Sequence, residues 1–266
     1  MAGAARTTPL RLLCVALSFL TRMPSPRWVG HDAGDLARSM PYFPAVGIIV
    51  GAWAGALYAG ARALWPAPVA VTLAIVGAIW ATGALHEDAL ADVADGFGGG
   101  WTREQVLTIM KDSRVGSYGA LALVVTIAAR LVALLAIADA GTGAVVRTLI
   151  AAHALARWSS LPLLWRHSYA RAEGGTGSAF ANDVTPARVA GGSAVAFAAA
   201  GITLRGRALI AVPVAMLLVW LSGRFYRRRI GGVTGDCLGA TVVLVEVATY
   251  LVAAAHLDVI GVHLAW

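Results

Sequence analysis

Residues 86–119 read HEDALADVADGFGGGWTREQVLTIMKDSRVGSYG and hold six of the chain's fourteen acidic residues: Glu87, Asp88, Asp92, Asp95, Glu104 and Asp112. Long apolar runs flank the stretch on both sides. Carboxylates beside membrane-length segments are expensive, so their concentration at one place calls for a chemical reason. Outward from the stretch, runs of about 20 apolar residues recur in both directions, the length that crosses a bilayer as a helix. The 266 residues are 59% hydrophobic and 13% charged, against about 25% charged for a soluble domain. The short alternating segments of an outer-membrane barrel are not evident. The pattern predicts an all-α, polytopic transmembrane helical bundle, a single integral membrane domain over 1–266 with its acidic element at 82–119.

Seven spans are predicted, at 43–61, 67–85, 118–138, 144–165, 189–204, 208–222 and 237–255. They are preceded by a short N-terminal interfacial or re-entrant helix within 9–23, whose nine-residue apolar core is too short to cross. A polar, proline-containing loop is expected at 24–42. Gly47, Gly51 and Gly55 recur every fourth residue, a face for close helix packing. The net charge of +7 is almost wholly arginine, with Lys111 the single lysine. In such a protein this surplus marks cytoplasmic loops and anionic lipid rather than nucleic acid. With seven spans, the loops at 22–42, 86–117, 166–188 and 223–236 fall on one side and carry 13 basic residues, against at most four opposite. The glycine-and-charge-rich loops are therefore expected to share the cytoplasmic face. Cys14 and Cys237 are isolated, which argues against a zinc site.

Read as a helix continuing from the second span, the stretch places Asp88, Asp92 and Asp95 within about 60° of one another, because i, i+4 and i+7 share a face. Ala84 and Ala91 lie on that face, and His86 points nearly opposite. Like charges so arranged repel unless a cation neutralises them. Oxygen ligands without a Cys or His cluster suit Mg²⁺, or Mn²⁺, rather than zinc. The bland alternative is a solvated helix face. The glycines from Gly96 to Gly100 are expected to stop the helix and present backbone amides to an anion. In the next segment Lys111 and Arg114 suit phosphate oxygens, and Asp112 a metal or a nucleophile. Arg171 pairs with the glycine loop that follows it, and the segment Gly231-Gly232-Val233-Thr234-Gly235-Asp236 repeats the theme. Glu246, three turns into the last span, is expected to be functional or to pair internally with Arg130 or Arg157.

Together these pieces resemble the cobalamin synthases, the adenosylcobinamide-GDP ribazoletransferase family. The resemblance is carried by FLTRMPSP (19–26), YFPAVGIIVG (42–51), TGALHEDALADVADGFGGG (82–100), MKDSRVGSYG (110–119), an RW…YAR…G segment (157–177) and GGVTGDCLGATVVLVE (231–246), in family order. The family pattern runs approximately G-G-L-H-L-D-G-L-A-D-T-A-D. Here Ala84 stands for its second glycine, Glu87 for an apolar residue, Ala89 for a glycine and Val93 for a threonine. The resemblance implies transfer of adenosylcobinamide phosphate from adenosylcobinamide-GDP to the 5′-oxygen of α-ribazole or its 5′-phosphate, with release of GMP, in a bacterial inner membrane. It implies Mg²⁺ on Asp88, Asp92 and Asp95. Phosphate contacts would come from Lys111, Arg114, Arg171, Gly116 and Thr234, and a general base from Asp112, Asp236 or His86. A homo-oligomer is compatible with this reading. Two others compete: a CDP-alcohol phosphatidyltransferase, whose D-G-x-x-A-R pattern is incomplete here, and a secondary transporter using Glu246, Arg130 and Arg157.

Overall fold

A computed structural model describes residues 8–24, 26, 28–29, 33–170 and 184–255. These are mostly helical, in the order α1 Pro9–Leu20, α2 Ala33–Ser39, α3 Phe43–Arg62, α4 Ala67–Thr82, α5 Leu85–Gly99, α6 Arg103–Ile109, α7 Ser117–Ala138, α8 Thr142–Trp158, α9 Ser160–Arg166, α10 Pro186–Leu204, α11 Ala208–Ile230 and α12 Gly235–Ala254. The β pairing among them is an isolated parallel bridge between Tyr169 and Val233.

The small-residue face of α3 does what its spacing predicts, and its partner is α8. A Cβ at Gly47 would overlap the His153 carbonyl, one at Gly51 would lie 2.6 Å from the Leu149 oxygen, and one at Gly55 3.0 Å from Val146 Cγ1. Any larger residue would force the backbones apart and surrender the dispersion contacts that drive association where lipid is as apolar as the helix. Helix α12 sits at the centre of the bundle and packs on α5, α7, α8 and α11. Gly239 lets it approach α5, since a Cβ there would lie 2.5 Å from the Ala89 methyl. Helix α7 is peripheral and turns Leu121, Val124, Val125 and Val132 outward.

Of three expectations, one is not confirmed and two are corrected. Among the described residues, length and composition single out four candidate spans, Gly34–Arg62, Ser117–Ala138, Pro186–Ile230 and Gly235–Ala254, or five if α4 with α5 counts as one, so seven spans are not confirmed. Helix α8 has 17 residues and carries Arg147, His153 and Arg157, which dilutes its apolar character. The run from Pro186 to Ile230 would measure about 67 Å as one straight helix, twice the hydrocarbon thickness of about 30 Å. It is broken at Arg205, whose φ is +52°. Secondly, the acidic stretch does not continue from the second span. Gly83 (φ +65°) and Ala84 (φ +59°) both adopt left-handed backbone, and α5 turns away from α4 by 86°. Thirdly, the segment 24–42 contains α2. Its Asp35 is buried and pairs with Arg11 of α1 at 2.6 Å, tying the N-terminal helix to the bundle.

Candidate active site

Helix α5 carries the aspartate face, and the three aspartates have different surroundings. Asp88 is exposed, Asp92 is half-buried and Asp95 is buried. The Asp95 carboxylate accepts from the backbone N–H of Gly116 at 2.7 Å and of Gly119 at 2.8 Å. It caps the N-terminus of α7, where a negative charge meets the helix dipole and otherwise orphaned amides. Both glycines are needed for this approach. A Cβ at Gly116 would lie 2.5 Å from Asp95 Oδ1, and one at Gly119 would overlap Asp95 Oδ2. Asp95 thus ties the Lys111–Arg114 loop to the end of the aspartate face.

The helix does end in the glycine run, at Gly99 with Gly100 as its C-cap, but the earlier glycines remain helical. Its glycines serve packing instead. A Cβ at Gly96 would lie 2.6 Å from Met110 Cγ, and one at Gly98 2.5 Å from the Tyr118 ring. The amides of these residues stay in the helix rather than opening toward an anion.

Asp88, His86 and Asp236 meet on one cavity of about 190 Å³ between α5, α12 and the ends of α1, α3 and α9. Its remaining walls are mainly apolar, including Phe19, Leu20, Phe43 and Val242. An apolar cleft with a few convergent polar groups is the usual form of a ligand site. Asp236 stands in the first turn of α12. Thr234 is fully buried, and its hydroxyl accepts from the Cys237 amide at 3.2 Å as the helix N-cap. Gly231 (φ +79°) ends α11 just before it.

Among the described residues, the ends of the polar loops meet. The bridge at Tyr169–Val233 joins the segment after α9 to the turn before α12, with Ala170 N–H donating to the Val233 carbonyl at 2.8 Å. Two arginines read only as orientation charges staple these loops to the α5–α6 turn. Arg103 donates to the Ile230 carbonyl at 2.9 Å and the Ala170 carbonyl at 2.7 Å. Arg229 donates to the Gly100 carbonyl at 2.8 Å and lies over the Phe97 ring at 5.4 Å. Nothing in the sequence separates these two from their neighbouring arginines.

Asp112 and Arg114 are bound to each other through a bidentate contact at 2.6–3.2 Å on an exposed loop. The hydrogen bonds from the Arg114 side chain and backbone hold the Asp112 carboxyl down at about 2. That makes it a weak base at neutral pH. Lys111 is exposed on the same loop. Arg171 lies outside the described residues.

Behind the cavity, His86 also lines a small enclosed space with a buried ionic network. Arg130 pairs with Glu87 at 2.6 Å and with Glu246 at 3.2 Å, and Arg157 with Glu246 at 3.6 Å. Tyr250 donates its hydroxyl to Glu246 at 3.2 Å. His153 Nδ1 lies 2.6 Å from Arg157 and 3.4 Å from the Glu246 carboxylate. The expected internal pairing of Glu246 is present with both arginines, and Glu87, to which the sequence assigned no role, is the second acid. Two guanidinium groups meet two carboxylates, so the network is balanced.

A cobalamin-5-phosphate synthase family model matches residues 12–254. The chain belongs to that family. As a cobalamin-5-phosphate synthase family member it stands among the transferases of cobalamin synthesis, which sets aside the phosphatidyltransferase and transporter readings. A relative in Ralstonia nicotianae, described as adenosylcobinamide-GDP ribazoletransferase, is 41% identical over 89% of this chain and 92% of its own length. Relatives of the same description in Leptothrix cholodnii and Shewanella frigidimarina are 42% and 38% identical, each over 91% of this chain and 94% of its own length. No solved structure matches this family member.

Proposed function

We propose that the protein is an adenosylcobinamide-GDP ribazoletransferase, joining adenosylcobinamide phosphate to a free ribose hydroxyl of α-ribazole or its 5′-phosphate and releasing GMP. Beyond the family, one observation carries the reading: the cavity on which Asp88, Asp236 and His86 converge beside the loop that Asp95 holds in place. In the reaction a free ribose hydroxyl oxygen of the acceptor bonds to the cobinamide-linked phosphorus. The bond from that phosphorus to the bridging oxygen breaks, GMP departs with the electron pair, and the hydroxyl proton passes to a base; a 5′-phosphate on the acceptor is kept in the product.

Among the described residues, no group of three or more His, Cys, Asp or Glu side chains is arranged to hold a metal. Mg²⁺ does not require one, since it commonly takes one or two carboxylates and completes its shell with water and substrate phosphates. The donor set fits that habit. Asp88 and Asp92, with Asp95 at the end of the same face, are the residues we assign to Mg²⁺ (Mn²⁺ being the alternative). When bound, the ion would neutralise the diphosphate and the departing nucleotide. Lys111 and Arg114 offer donors to phosphate oxygens, with Arg171 assigned the same role by the family pattern. Asp236 and His86 line the cavity and are the candidates for the base, whereas the pairing of Asp112 with Arg114 suits it to shaping the loop. The excess of basic residues in the polar loops supports a cytoplasmic side for them.

The test is turnover of the purified, detergent-solubilised protein with adenosylcobinamide-GDP, α-ribazole and Mg²⁺. GMP and a cobalamin product should form in equal amounts, and the absence of both overturns the reading. Asp92→Asn should need far more Mg²⁺; normal turnover at low Mg²⁺ would remove the aspartate face as the metal site.

A further inference from the structure

A second cavity, of about 970 Å³, opens on the outer surface between α9 and the C-terminal half of α11, away from the cleft of Asp88 and Asp236. Its lining changes character along both helices. Met216 and Val219 come first along α11, then Trp220, then Arg224, Arg227 and Arg228. From α9 it receives Pro162 and Leu163, then Trp165, then Arg166. Both helices thus run from apolar residues through a tryptophan to arginines, the sequence of environments met in passing from acyl chains through the interface to headgroups.

The polar end is positive and unopposed. No acidic residue lines the cavity, and among the described residues Arg166, Arg224, Arg227 and Arg228 form no ion pair. Arg166 and Arg224 instead lie over the rings of Trp165 and Trp220, at 5.9 and 5.8 Å. The two tryptophans are 44% and 60% exposed, so these rings are not core residues. His167, at the mouth, is pushed below its ordinary pKa by partial burial and then by Arg227 and Arg166. Its ring packs onto Gly223, where a Cβ would overlap Nε2. That contact brings the end of α9 onto α11 and makes the surface concave rather than a ridge.

We propose that this groove binds an anionic phospholipid, with the headgroup phosphate on Arg224, Arg228 and Arg166 and the acyl chains along Met216, Val219 and Pro162. Charge complementarity selects the occupant. A zwitterionic lipid would bring its own cation among four arginines, and a soluble phosphate would leave the apolar half of the groove unused. The inference rests on the membrane reading of the chain and not on the transferase reading.

The test needs no cobamide substrate. Wild-type protein in neutral detergent is titrated with phosphatidylglycerol or with phosphatidylcholine of the same chains. Bound lipid is counted by native mass spectrometry, and thermal unfolding is followed in parallel. Phosphatidylglycerol should bind tighter than phosphatidylcholine and raise the unfolding temperature. Arg224→Gln/Arg228→Gln should weaken it by about fivefold per arginine removed, roughly 25-fold together. Arg62→Gln, at the C-terminal end of α3 and outside the groove's lining, should change nothing. If the double variant does not fold, each single variant is read in the same way. Equal binding of the two lipids, or undiminished phosphatidylglycerol binding by the variants, overturns the proposal. So does displacement of the lipid by millimolar GDP or inorganic phosphate, which would make the groove a soluble-phosphate site.

Discussion

Replacing Glu246 with glutamine removes one of the two carboxylates that balance Arg130 and Arg157 in the middle of the bundle. The shape of the side chain is nearly kept, so the perturbation is one of charge. Arg130 sits 3.2 Å and Arg157 3.6 Å from the carboxylate. With an effective dielectric of about 20, a unit pair at such distances is worth about 5 kcal/mol before desolvation is subtracted. Desolvation offsets much of that in the intact set, but removing one partner leaves the penalty in place and costs about 3–5 kcal/mol. Arg130 would still have Glu87 at 2.6 Å, so the uncompensated charge falls on Arg157, which is 2% exposed. Thermal unfolding in detergent should show Tm lower by roughly 10 °C, at about 2–4 °C per kcal/mol for a chain of this size. Glu246→Gln/Arg157→Met restores neutrality and should recover at least half of the loss, giving a coupling above about 2 kcal/mol. A single variant within about 1 kcal/mol of wild type, or a double variant no more stable than the single, would refute the balanced-network account.

Three further outcomes follow from particular contacts. Ala84→Gly should stabilise the protein: the left-handed backbone at φ +59° costs an alanine about 1–2 kcal/mol. The extra freedom of glycine in the unfolded chain returns about 0.4–1 kcal/mol, so a net gain of about 1 kcal/mol should appear in thermal unfolding, and a loss would mean the bend is not strained. Gly119→Ala should drive its methyl into the Asp95 carboxylate and break a charge-assisted bond worth about 1.5–3 kcal/mol; product formation should fall along with stability, and an active, stable variant would separate Asp95 from the loop. Asp112, held at about 2, is ionised throughout the working pH range. Its depressed pKa adds stability that is present above the ordinary carboxylate value and is lost as pH falls through about 2. Asp112→Asn should therefore lower the rate without moving the acid limb of the pH–rate profile between about pH 5 and 9, and a shifted limb would make Asp112 the base.

The pairing of Glu246 was legible because a carboxylate inside an apolar span needs a partner. The aspartate face and the glycine seam of α3 were legible because each depends on spacing within one helix, and a helix fixes the angles between its own residues. The same rule put His86 away from the aspartates, whereas its side chain borders both the cavity that Asp88 lines and the space lined by Glu87, Arg130 and Glu246. What the rule cannot supply is the turn between helices. At 83–84 only Gly83 favours left-handed backbone, and the alanine that follows carries no such signal. The bend was therefore read as a continuous helix. Straightening α4 into α5 would have carried the aspartates away along the helix axis. The 86° turn lays α5 across the end of the bundle, and this is how Asp88 reaches the cavity that Asp236 enters from α12. The staples Arg103 and Arg229 were hidden for a related reason. Their partners are backbone carbonyls of Ile230, Ala170 and Gly100, and a carbonyl acceptor leaves no residue type for a sequence to display. The site's members were thus readable one helix at a time, while their convergence depends on one strained alanine and on arginines whose partners have no side-chain identity.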